Sequence, residues 1–106
     1  MTIQEFISKT FKKEHDYYFR NEIVCSDGFA MSVQGSKGHY CTPRETVDSY
    51  TALEIGYPTQ TEELILEYAE NKYDATDSVY PYVPVDTIQK VIEKHGGIDI
   101  DKTFGK

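Results

Sequence analysis

Residues 31–44, MSVQGSKGHYCTPR, decide how this chain is to be read. Met31 and Val33 alternate with Ser32 and Gln34, the period of a half-buried β-strand. Gly35, Gly38 and Pro43 then interrupt the pattern, so the strand gives way to a loop. That loop gathers Lys37, His39, Tyr40, Cys41, Thr42 and Arg44, more functional groups than a plain connector needs.

Working outward, residues 17–25 are rich in aromatic and β-branched side chains. The turn Ser26-Asp27-Gly28 and the alternating Phe29, Met31 and Val33 then predict a hairpin, with Gly28 at positive φ. A third strand is predicted over 50–56, with Thr51, Leu53 and Ile55 on one face. Upstream, Thr2 and Glu5 have capping-box spacing, and Ile3, Phe6, Ile7, Thr10 and Phe11 recur at helical intervals, predicting a helix over 2–14. Downstream, Thr59 and Glu62 repeat the capping-box spacing ahead of Leu64, Ile65 and Tyr68, predicting a second helix that ends near Glu70.

Residues 71–78 are polar and read as a loop. The following VYPYV, 79–83, favours a strand, but Pro81 cannot donate to a ladder and belongs at a sheet edge. Pro84 opens a last helix whose apolar stripe is Val85, Ile88, Val91 and Ile92. Gly96 closes it, with Ile98 packing back in a Schellman-type stop. The expected architecture is a single α+β domain over 1–106, loose beyond about residue 100. It has an antiparallel or mixed sheet of about four strands with three helices packed against it.

A chain of 106 residues can remove about two thirds of its unfolded surface from water. A core is therefore feasible without disulfides or metal, and two cysteines cannot make a multi-bridge framework. No apolar run approaches the roughly 20 residues of a membrane span. Together with the polar N-terminus this predicts a cytoplasmic protein with reduced thiols, no membrane association and no cofactor. The net charge is −7, and its distribution matters more than its sum. Residues 45–79 hold nine acidic side chains against Lys72 alone, which argues against direct nucleic-acid binding.

Four chemistries compete for the notable residues. Cys41 with His39 could form a thiol nucleophile and base, but no third orienting group is evident and the bland reading is a buried thiol. Cys25, His39, Cys41 and His95 could ligate zinc, but they lack the paired spacing of such sites, and His15 and His95 fit helix ends. The preferred site is the loop: Gly35 and Gly38 let peptide N–H groups approach an anion, Lys37 and Arg44 bring charge, and His39 and Tyr40 line the ligand. Tyr80 and Tyr82 are its expected walls. The alternative is an acidic face of Glu62, Glu63, Glu67, Glu70, Asp74 and Asp77, mimicking nucleic acid against a host protein.

SVQGSKGHYCTPR, YTALEIGYP, ELILEYAE and YPYVPVDTIQKVIEKHGG together resemble small proteins of bacteriophage and prophage genomes. The resemblance spans Phe29 to Gly97 and is densest in HYCTPR. It implies a mobile-element context, acting in the host cytoplasm, and assigns no catalytic residue. The expectation is a non-enzymatic binding protein, acting in counter-defence by sequestering a small anionic or nucleotide ligand or by occluding a host protein. A homodimer through the 79–83 edge is conceivable.

Overall fold

The computed structural model describes residues 1–15 and 17–105. The elements run α1 (Ile3–Lys9), β1 (Ile23–Val24), β2 (Ala30–Gln34), β3 (Ala52–Gly56), β4 (Val79–Pro84), α2 (Val85–Lys94) and α3 (Ile100–Phe104), with short 3-10 turns at Leu66–Tyr68 and Ala75–Asp77. The four strands form one sheet in the order β1-β2-β3-β4, every neighbour antiparallel. This is the expected small α+β fold. Among the described residues, no helix is long and apolar enough to cross a membrane.

Alternation along the strands sends one set of side chains into the core. Met31, Val33, Leu53, Ile55 and Val83 are fully buried there with Tyr80. Ile3, Phe6 and Ile7 of α1 and Ile88, Val91 and Ile92 of α2 complete the same cluster. The capping box at Thr2 is present in both directions, 3.1 Å from the Glu5 amide to Thr2 Oγ1 and 2.7 Å from the Thr2 amide to Glu5 Oε1. β4 lies at the sheet edge, where Pro81 is tolerated. α2 ends as expected: the Gly97 amide reaches Ile92 O at 2.9 Å and the Gly96 amide reaches Glu93 O at 3.1 Å. Those are the two hydrogen bonds of a Schellman stop.

Four expected elements differ. The first helix ends at Lys9 rather than Glu14, because Thr10 Oγ1 bonds back to Phe6 O and receives Arg20 Nε at 2.7 Å. Only Ile23–Val24 of the expected 17–25 strand pairs with β2. Tyr18 and Arg20 do face inward, but the Gln34 side chain takes the place of a neighbouring strand. It accepts from the Arg20 amide at 2.7 Å and donates to the Arg20 carbonyl at 3.1 Å.

The expected helix over 59–70 is reduced to the turn at Leu66–Tyr68. Thr59 does not cap it: its hydroxyl accepts the Ala30 amide at 3.0 Å and its amide donates to Ala30 O at 2.9 Å. A capping-box pattern is consumed there by a tertiary contact. The segment after residue 100, expected to be loose, forms α3, capped by Asp99 accepting from the Lys102 amide at 2.9 Å. Thr103 Oγ1 of that helix accepts the Val24 amide at 3.0 Å, and Phe104 packs on the core.

Gly96 sits at φ +90, and a Cβ there would lie 3.0 Å from Ser26 Cβ. Gly96→Ala is therefore expected to destabilise the fold by about 1–2 kcal/mol, the cost of the left-handed conformation. Urea unfolding midpoints measure this, and an unchanged midpoint would contradict the stop assigned to α2.

Candidate functional site

The loop between β2 and β3 is built around its own backbone. The Lys37 amide donates to Thr46 Oγ1 at 3.1 Å, and the Gly38 amide donates to Ser36 Oγ at 3.1 Å. The His39 amide reaches Ser36 O and the Cys41 amide reaches His39 O, while the Tyr40 amide is taken by Glu54 Oε1 at 2.9 Å. These five peptide donors are spent inside the protein, so the expected peptide cradle for an anion is not what the glycines provide. A Cβ on Gly35 would lie 2.6 Å from Leu53 Cδ2, and one on Gly38 would lie 2.0 Å from Tyr17 Cδ1. Both glycines admit the protein's own side chains.

The six residues expected to bind a ligand separate into two groups. Tyr80 is fully buried, its hydroxyl donating to Ala75 O at 2.6 Å, so it is no wall of an open site. His39 is also inside, 2% exposed. Its Nδ1 lies 2.7 Å from Ser36 Oγ, and its ring stacks on Tyr17 at 4.9 Å between centroids. Lys37, Tyr40, Arg44 and Tyr82 remain on the surface.

Three of these come together. The Tyr82 amide donates to Tyr40 O at 3.2 Å, drawing the loop onto β4. Tyr82 can do so because β4 bulges: Leu53 pairs with Val83 and Ile55 with Tyr80, so Pro81 and Tyr82 together oppose Glu54, one residue more than the ladder needs. Tyr82 takes φ +56 there, a strained conformation for a residue with a Cβ. The two phenol rings lie 5.9 Å apart, and the Arg44 guanidinium lies 5.0 Å over the Tyr40 ring. Arg44 makes no ion pair among the described residues. Tyr40 and Tyr82 are 39% and 46% exposed, so the arrangement is a displayed aromatic and cationic face rather than a recess.

Cys41 lies on the opposite, inner side of the loop. Its Sγ lies 3.2 Å from Ser36 O and 3.3 Å from Pro43 O, alternative acceptors for its one proton. Burial pushes the thiol up, the reverse of what a nucleophile needs. His39 is pushed down to about 4 by burial and by the nearby Arg20 and Arg44 charges. Cys25 is raised to about 11, chiefly by burial. Among the described residues, no three His, Cys, Asp or Glu side chains are placed to hold a metal ion, so Cys25, His39, Cys41 and His95 do not form the zinc set considered above.

The acidic face is also revised. Glu62 is 1% exposed and faces inward. Its Oε2 accepts Lys94 Nζ at 2.8 Å and its Oε1 lies 2.7 Å from His95 Nε2. His95 Nδ1 in turn lies 2.6 Å from Asp27 Oδ2, with Phe29 stacked on the imidazole at 4.1 Å. This clamp ties the end of α2 to the β1–β2 turn and to the 59–65 segment. Glu63, Glu67, Glu70, Asp74 and Asp77 stay exposed.

Two further groups escaped sequence reasoning. Arg20 is 5% exposed, and its three nitrogens bond Thr10 Oγ1, Gly35 O and the Tyr18 hydroxyl. Tyr17 and Phe19, 56% and 62% exposed, form an edge-on pair 5.3 Å apart over His39. The available signal was the alternation of 17–20, which places an arginine on the inward side.

Comparison with protein-family models, with curated proteins and with solved structures finds no match to this chain.

Burial alone would lower His95, but hydrogen bonds to the Glu62 and Asp27 carboxylates outweigh it and raise the imidazole above its usual range. The stabilising form is therefore the imidazolium. Its contribution is complete below the unfolded value of about 6.5 and is lost as pH rises through the higher folded value. Thermal unfolding followed from about pH 6 to pH 9 should show stability falling with pH. In His95→Gln the slope should flatten, and an equal slope in both proteins would refute the clamp.

Proposed function

We propose that this is a non-enzymatic binding protein of phage or mobile-element origin that occludes a host protein in the cytoplasm. The observation that carries this reading is the face of Tyr40, Tyr82 and Arg44, assembled by the Tyr82–Tyr40 peptide hydrogen bond. Tyrosine and arginine are enriched among the residues that dominate the energetics of protein interfaces: the phenol buries a large area at small entropic loss, and the guanidinium offers a planar fork of donors. A displayed face also suits a macromolecule better than a small ligand, whose sites are concave. Lys37 stands at the rim, and with Arg44 it favours an acidic patch on the partner. A small anionic ligand held at the same face is the weaker form of this reading.

The acidic stretch supports a second reading, an acidic mimic that blocks a nucleic-acid-binding protein. It is favoured by the exposure of Glu63, Glu67, Glu70, Asp74 and Asp77. The burial of Glu62 removes one expected member, and the expected regular helix that would align the acids is replaced by short turns.

Affinity capture from host lysate with four forms of the protein separates the two. Tyr82→Ala and Arg44→Glu should each lower retention of the captured protein by about tenfold or more, while Glu63→Lys with Glu67→Lys leaves it intact. Full retention by both Tyr82→Ala and Arg44→Glu would overturn the proposal. Loss only on reversing the glutamates, with an association rate that falls as salt rises, would install the acidic reading instead.

A further inference from the structure

Where the β2–β3 loop meets the segment carrying Tyr17 and Arg20, two buried polar groups lack, among the described residues, the partner their burial calls for. Arg20 is a buried guanidinium whose partners are a threonine, a carbonyl and a phenol, and no carboxylate pairs with it among the described residues. A desolvated cation without an anion is costly, and proteins rarely leave one so. His39 is the second. Its Nε2 is the one buried side-chain nitrogen or oxygen among the described residues with no hydrogen-bond partner.

The hydrogen-bond network favours a proton on that nitrogen. Ser36 Oγ accepts the Gly38 amide, and its own hydroxyl proton is satisfied when it donates to His39 Nδ1, 2.7 Å away. Nε2 then carries the N–H, pointing away from Ser36, as an unsatisfied donor. The two groups belong to one neighbourhood: Arg20 holds Gly35 O at 2.6 Å, at the start of the turn that carries Ser36 and His39. Arg44 stands on the far flank of that turn, near enough to add to the positive field on the imidazole. The Glu54 carboxylate also reaches this turn, with one oxygen committed to the Tyr40 amide. The cover is aromatic and exposed on its outer side: Tyr17 stacks on the His39 ring and Phe19 meets it edge-on at 5.3 Å.

We propose that Arg20 and His39 form an oxyanion-binding subsite beneath Tyr17, taking the phosphate group of a phosphorylated ligand. Tyr17 swings off the imidazole to admit it, and the anion receives the Nε2 proton donor and the unspent N–H groups of the guanidinium. An aromatic or base ring attached to the phosphate would stack on the exposed rings of Tyr17 and Phe19. This site does not depend on the protein-occluding reading of the Tyr40–Tyr82 face.

The test is an NMR titration of the isotopically labelled full chain with inorganic phosphate replacing chloride at constant ionic strength. Saturable shifts are expected at the His39 imidazole and at Arg20 Nε–Hε. Because a bound anion favours the imidazolium, the His39 titration midpoint should move upward from about 4. His39→Phe keeps a ring against Tyr17 but removes the donor, and should weaken the response at Arg20 by about tenfold. Shifts confined to Lys12, Lys13 and Lys37 would mean surface attraction and overturn the proposal, as would equal affinity in His39→Phe. Tyr82→Ala leaves this titration unchanged while it disables partner capture, so the two readings fail separately.

Discussion

A single peptide hydrogen bond, from the Tyr82 amide to the Tyr40 carbonyl at 3.2 Å, joins the loop after β2 to the far strand of the sheet. Two features make it possible. The extra residue in β4 turns the Tyr82 amide out of the ladder, and the Tyr82 backbone at φ +56 aims it at the loop. Such a conformation costs of order 1–3 kcal/mol and persists only where the surroundings over-determine it. Here Pro81 on one side and the docked loop on the other do so. The result places two phenols and a guanidinium on one exposed face.

The same bond changes the character of the sheet edge. β4 is terminal in the sheet, and an open edge invites pairing with another chain. Pro81 has no amide proton, and the proton of Tyr82 is already committed. Two consecutive positions of the six-residue strand therefore cannot donate to a second copy, which weakens the case for a dimer built by edge pairing. Recognition by side chains on the loop is the chemistry left to this end of the molecule.

Sequence and structure agree where a pattern is satisfied locally. The capping box at Thr2, the turn at Gly28 and the glycine stop after α2 each rest on a hydrogen bond or a φ value set within a few residues, and the edge position of Pro81 follows from that residue's own missing donor. Disagreement arises where a side chain with a clear local role is claimed by a distant partner. Thr59 and Glu62 spell a capping box, yet Thr59 bonds Ala30 and Glu62 bonds His95 and Lys94, so no long helix forms. Gln34 supplies a side-chain substitute for a strand beside Arg20. Within the site, the exposure of Tyr40 and Arg44 was legible from loop chemistry and that of Tyr82 from its place on an edge strand. The burial of His39 and Tyr80 was not, because no local pattern records that Tyr17 roofs one and that Ala75 receives the hydroxyl of the other.

Amide hydrogen exchange at Tyr82 tests the central claim most directly, since that one proton reports whether the loop is docked on the bulge. Docking predicts protection comparable to Tyr80 and Val83 in the same strand, and loss of protection throughout β4 together. Exchange of the Tyr82 amide at the rate of an unstructured peptide, with its neighbours still protected, would contradict it and dissolve the face on which the function is argued.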